Sequence, residues 1–214
     1  MSLLSSPPPE GGFFRQRLLH PVPQETLHVA LDEAIEALRQ QAISYRDTLS
    51  AEARESVPAG GGWSVNQILQ HLVVTHRHYE DRVRRAMDRA PPPGHGDTPW
   101  RPTWVGGMLV HAMQGARRLP APRAFRMGAH VGPAVLDQYL TALESTERMM
   151  RDAEGIHWAR TRVTSPAARF LRLNLGDCFA VLTVHGERHF RRIGILAGGA
   201  LILRRSRPSA APRP

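Results

Sequence analysis

Hydrophobic residues recur at helical spacing in four long stretches of the chain, and segments rich in proline and glycine separate these stretches. The stretches run over residues 24–48, 63–90, 133–153 and 174–197. A weaker pattern over residues 103–119 contains two adjacent glycines, and residues 156–173 show no clear periodicity. The pattern predicts an all-α fold, an up-down-type four-helix bundle with an additional short helix.

Two of the helix starts carry capping signals. Ser64 is followed three residues later by Gln67, which is the spacing of a capping box, and Asn174 is followed by Asp177 in the same way. The resulting domain organisation is an extended or disordered N-terminal arm over residues 1–22, a helical bundle domain over residues 23–203, and a disordered basic tail over residues 204–214.

The last predicted helix carries two histidines four residues apart, His185 and His189. They lie on its apolar stripe, because four residues bring a helix back to nearly the same face. Two buried imidazoles without a partner would cost free energy, which a shared metal ion or a hydrogen-bonded network would remove. The simpler interpretation is a pair of polar residues at a helix edge, with no ligand.

A third histidine, His71, borders the core face of the second long helix, one turn after Ile68. Three neutral imidazoles with one open position form the ligand set of a catalytic metal site. Zinc, nickel and iron all suit such ligands. The metal would acidify a bound water molecule or hold a thiolate substrate. The hypothesis therefore places His71, His185 and His189 around one divalent cation.

Composition bears on nucleic-acid binding, on the role of the cysteine and on localisation. The formal net charge of +9 invites a nucleic-acid interpretation, but all 28 basic residues are arginines scattered along the chain, which makes nucleic-acid binding a minority hypothesis. The single cysteine, Cys178, lies on an apolar stripe and is expected to be a buried structural thiol. No signal peptide is evident, and the longest apolar run is too short to span a bilayer, so a cytoplasmic protein without membrane association is expected.

The two histidine segments resemble those of one known family. Residues 62–76 (GWSVNQILQHLVVTH) and 185–193 (HGERHFRRI) are similar to the DinB/YfiT-like family, whose members have a Trp-Ser/Thr-Val start, a histidine seven or eight residues later and a C-terminal HxxxH. The resemblance covers roughly residues 24–200. It implies a four-helix bundle, often a homodimer, with a divalent metal on His71, His185 and His189. Several relatives are thiol S-transferases. Relatives often have glutamine near Arg192, where this chain has arginine.

Other residues are candidates for a role near the three predicted ligands. His78 lies two turns after His71 and is a candidate for the second shell or a substrate contact, although an ordinary polar residue is the simpler interpretation. Trp63 is expected to plug the core beneath the glycine loop or to form a wall of the metal cavity. His76 is expected to face outward. His111 could line the mouth of the pocket, although a structural role is the simpler interpretation. No carboxylate is placed as a general acid or base, so the catalytic residues stay unassigned.

Three functions compete at this point. The first is a metal-dependent thiol S-transferase or hydrolase that acts on a small molecule, with a low-molecular-weight thiol as one candidate substrate. The second is a non-catalytic metal-binding protein of the stress response. The third is a nucleic-acid-associated protein, which would purify without metal and bind DNA with a steep salt dependence.

Overall fold

The computed structural model of the protein describes residues 20–91, 99–115, 125 and 131–205, with side chains described as far as Gly198. The helices and strands in these ranges are α1 (Gln24–Thr48), α2 (Ala51–Glu55), α3 (Val65–Met87), α4 (Trp104–Gln114), α5 (Val135–Asp152), β1 (Arg162–Thr164), β2 (Arg172–Asn174) and α6 (Leu175–Arg205). The fold is all-α apart from one short antiparallel hairpin, as the hydrophobic pattern predicted.

The four long helices form the bundle. Helix α1 packs against α5 and α6, and α3 also packs against α5 and α6, so α1 and α3 occupy opposite corners. The short helix α4 packs on α6. The apolar stripes of all four long helices meet in one core, which includes Leu31, Leu72, Leu143 and Phe190. The place where α3 and α6 pack together is where His71 and the HxxxH pair can meet.

Both predicted caps are present. The Ser64 hydroxyl accepts a hydrogen bond from the Gln67 backbone N–H at 3.2 Å, and the Gln67 side chain accepts one from the Ser64 N–H at 2.9 Å. Asn174 and Asp177 make the same reciprocal pair at the start of α6, at 2.8 and 3.0 Å. These contacts satisfy backbone donors that a helix start leaves without partners, and they fix where α3 and α6 begin.

Asp177 also ties α4 to α6. Its carboxylate accepts hydrogen bonds from the backbone N–H and the hydroxyl of Thr103, which caps α4. A Cβ atom on Gly106 would lie 2.2 Å from the Asp177 carboxyl carbon, so only glycine allows this approach. Burial raises the pKa of Asp177 to about 6, although its hydrogen bonds to Asn174 and Thr103 act in the opposite direction.

Four local predictions differ from the structure. Helix α2, capped by Ser50, was not expected. Residues 156–173 were expected to be irregular, but they contain the β1–β2 hairpin, whose three-residue strands are too short to show alternation. Helix α4 was expected to reach residue 119, but it ends at Gln114 because Gly115 is extended. Helix α6 was expected to end near its glycines at 197–199, but it continues to Arg205.

The predicted arm and tail fall largely outside the described residues, which begin at His20 and end at Arg205. The first residues of the described part already contact the domain, since the Val22 backbone N–H donates to the Trp100 carbonyl at 3.0 Å. Within the described ranges, none of the helices combines the length and the apolar character that crossing a membrane requires.

Candidate metal centre

The structure brings His71, His185 and His189 together. His71 comes from α3 and the other two from α6, and one ligand atom from each lies within 4.8 Å of the others. The Nε2 atom of His185 lies 3.1 Å from Nε2 of His71 and 3.1 Å from Nε2 of His189. His71 and His185 are buried, at 4% and 9% exposed. The helical spacing of the HxxxH motif predicted that the two histidines of α6 face the same point.

A backbone carbonyl fixes the tautomer of His71. Its Nδ1 lies 3.1 Å from the Phe125 carbonyl oxygen, which can only accept, so Nδ1 carries the proton. The Nε2 atom therefore presents a lone pair to the other two rings. A hydrogen bond from the second ring nitrogen to a carbonyl is the usual support of a metal-ligating histidine, because it sets both the tautomer and the ring orientation.

Hydrogen bonding alone does not satisfy the three Nε2 atoms. If the His185 Nε2 is protonated, its one proton can point at only one neighbour. If it is not protonated, its lone pair faces the lone pair of His71 at 3.1 Å. At most one of the two short contacts is then a normal hydrogen bond. A shared cation satisfies all three, since tetrahedral ligands at zinc–nitrogen distances stand about 3.3 Å apart. The residues present therefore fit a divalent metal.

Burial keeps all three imidazoles neutral. It lowers the pKa of His71, lowers that of His185 well below its ordinary value, and lowers that of His189 to about 3. Mutual repulsion adds to the effect of burial, because protonated His71 would disfavour a second charge on His189. Neutral rings are the form that ligates a metal, so this group of side chains could hold a cation at neutral pH.

Close packing holds His185 in place. The adjacent Gly186 lies where a Cβ atom would approach the Leu38 side chain of α1 to 2.8 Å and the Tyr139 hydroxyl of α5 to 3.1 Å. A larger residue would push α6 away from these helices. The glycine inside the HxxxH motif thus lets α1 and α5 pack directly behind the histidine pair.

Trp63 forms one wall of the triad. Its ring centroid lies 5.0 Å from that of His71, and 6.2 Å from that of His189 in a stacked arrangement. Trp63 is half-buried and directly follows Gly62. The Trp63 ring therefore lies against two of the three histidines.

His78 and His76 are arranged differently from the triad. His78 is exposed and contacts the ring of Phe125, the residue whose carbonyl orients His71, at a centroid distance of 5.7 Å. The prediction that His76 faces outward is wrong. His76 is 4% exposed, and its Nδ1 lies 3.0 Å from the Thr146 hydroxyl of α5.

The other candidates for chemistry lie elsewhere. Cys178 is fully buried, and burial raises the pKa of its thiol well above the ordinary value, which suits the structural thiol predicted for it. His111 is exposed on α4. The Phe125 carbonyl was missed in the sequence, because a backbone oxygen in a segment without periodicity carries no residue-type signal.

Two arginines of α6 stand beside the triad. The Arg188 guanidinium donates to the carbonyls of Ala112, Met113 and Gly115 at the end of α4. Arg192 lies against Gly62. After burial and His71, the positive charges of these two arginines also lower the pKa of His189.

Comparison with protein families gives one match. The family model of the DinB superfamily matches residues 34–193, which include α3 and both histidine segments. Searches among curated proteins and among solved structures gave no significant match. Because the family match covers most of the chain and contains all three clustered histidines, the protein belongs to the DinB superfamily.

Proposed function

We propose that the protein is a metal-dependent enzyme, a thiol S-transferase or hydrolase that acts on a small molecule at the site formed by His71, His185 and His189. The observation that carries the proposal is the pair of 3.1 Å contacts between Nε2 atoms, which hydrogen bonds alone cannot account for. Zinc or nickel is the expected metal, with iron as a further candidate. Three protein ligands leave one coordination position for a substrate.

The chain's own residues would perform distinct tasks. The Phe125 carbonyl holds the His71 ring in the tautomer that offers Nε2. Trp63 covers one side of His71 and His189 and so limits the access of bulk water. A divalent cation on the triad would supply a Lewis acid that lowers the pKa of a thiol or water molecule at the remaining position. No described carboxylate belongs to the histidine group, so no general base is assigned.

A thiol panel tests the activity. Bacillithiol, mycothiol, glutathione and cysteine are each incubated with chlorodinitrobenzene and the metal-loaded protein, and formation of the aryl thioether is followed by absorbance. The thiol sulfur replaces chloride on the ring, and the thiol proton leaves to solvent. We expect turnover with at least one thiol and its loss in His185→Ala. His111→Ala is the matched control, since it removes an exposed histidine that is not one of the three clustered histidines.

A non-catalytic metal-binding protein of the stress response is the alternative function. It predicts the same metal stoichiometry and the same loss of metal in His185→Ala, but no turnover with any thiol or hydrolysable substrate. Metal binding without turnover would therefore favour this alternative. Absence of metal from both the wild-type protein and the variant would contradict both functions.

A further inference from the structure

Arg192 lies beside the triad, in a space that is open because residue 62 is a glycine. It follows His189 by three residues on α6 and is half-buried. A Cβ atom on Gly62 would lie 2.5 Å from Nη2 of Arg192, and Gly62 has a φ of +112°, which side-chain-bearing residues rarely adopt. The glycine therefore serves two purposes, the turn of the loop and the close approach of the Arg192 guanidinium group to the backbone directly before Trp63.

The charge of Arg192 has no acidic partner among the described residues. The ion pairs found there join other arginines, or His28, to carboxylates. The Nε atom of Arg192 is buried and has no hydrogen-bond acceptor within the same ranges. A buried guanidinium donor without an acceptor costs free energy, which an anionic ligand would offset.

We propose that Arg192 is a specificity-determining residue that binds the carboxylate of a small anionic substrate whose reactive group reaches the histidine triad. The guanidinium group offers a planar fork of donors that matches a carboxylate. The three histidines are neutral, so they bring no negative charge that would compete with the substrate for Arg192. Trp63 lies next to Gly62 and against His189, so it would pack on the substrate chain that joins the carboxylate to the reacting group.

The inference deepens the proposed function and rests on it for the role of the triad. Its test compares two thiols of equal length, 3-mercaptopropionate and 3-mercaptopropanol, which differ in the carboxylate. Calorimetric titration of the metal-loaded wild-type protein should give about tenfold tighter binding of the anionic thiol, the usual value of one charge-assisted contact. Metal content is measured on every sample.

Three variants test whether Arg192 causes the preference for the anionic thiol. Arg192→Gln should bind both thiols with similar affinity, and Arg192→Lys should keep only part of the preference because it keeps the charge without the fork. Arg191→Gln is the matched control: it removes the same charge from the neighbouring, exposed position. An unchanged preference in Arg192→Gln, or an equal loss in Arg191→Gln, would overturn the inference.

Failure of the proposed function gives a different result. If the wild-type protein binds no metal, propionate is titrated against that same protein, since Arg192 needs no metal to pair with a carboxylate. Binding that Arg192→Gln abolishes and Arg191→Gln preserves supports the anion site even without the metal. Absence of propionate binding in the metal-free wild-type protein would overturn it. Thermal unfolding of each variant checks that the loss of binding is not a loss of fold.

Discussion

Folding stability should depend on pH through His76, which belongs to α3 and is buried against α5. The Thr146 hydroxyl donates to the Ala142 carbonyl, so it accepts from Nδ1–H of His76. The Nε2 atom is then a buried lone pair without a partner among the described residues. Protonating that atom would place an unpaired charge in the core, and burial accordingly lowers the pKa of His76 to about 4.

The sign and size of the effect follow from this pKa. The unfolded chain protonates His76 near its ordinary value of 6.5, whereas the folded protein resists protonation until about 4. The folded state is therefore favoured above pH 6.5, and this contribution is lost as pH falls from 6.5 towards 4. The full difference between the two pKa values corresponds to about 3 kcal/mol in the free energy of unfolding. About 2 kcal/mol of this is lost by pH 5.

The assay is urea unfolding of metal-free protein at pH 7.5 and pH 5, with His76→Phe beside the wild-type protein. The histidines of the triad are common to both proteins, so their contribution cancels in the comparison. The free energy of unfolding should fall by about 2 kcal/mol less in His76→Phe than in the wild type. His78→Phe, at an exposed position two residues away, should follow the wild-type protein. Equal declines in the wild-type protein and His76→Phe would refute this reasoning.

Three further predictions concern packing and assembly. The Tyr139 hydroxyl is buried without a partner among the described residues, so Tyr139→Phe should raise the free energy of unfolding by about 1 kcal/mol in urea melts, and a clear loss would contradict this. Gly106→Ala should lower it by about 1–3 kcal/mol because the new Cβ would collide with Asp177, whereas Gly107→Ala, whose nearest neighbour is 4.0 Å away, should not. The homodimer expected from the family resemblance stays a prediction, and light scattering at the mass of a single chain would contradict it.

Local signals made the helix starts and the histidine pair of α6 predictable. The capping boxes at Ser64 and Asn174 depend only on residues three apart, and the facing of His185 and His189 depends only on helical spacing. His76 could also have been placed correctly. It follows Leu72 by four residues and precedes Tyr79 by three, so helical spacing puts it within the inward stripe.

Other features depend on contacts between distant segments. The Phe125 carbonyl acts through a backbone atom that every residue type carries, so its role with His71 is visible only in three dimensions. The end of α4 depends on Gly115 and on Arg188, whose guanidinium group crosses from α6 to the last α4 carbonyls. Arg192 was noted only as a departure from relatives, and its proximity to Gly62 required the packing of the loop on α6.

Metal analysis of protein purified without a histidine tag tests the central claim most directly. The wild-type protein should contain one divalent metal per chain, and X-ray absorption should show nitrogen ligands at about 2.0–2.1 Å. His185→Ala should lose the metal, while His111→Ala should retain it. A wild-type protein that stays metal-free after exposure to zinc, nickel and iron, or a His185→Ala variant that holds as much metal as the wild type, would contradict a shared cation on His71, His185 and His189.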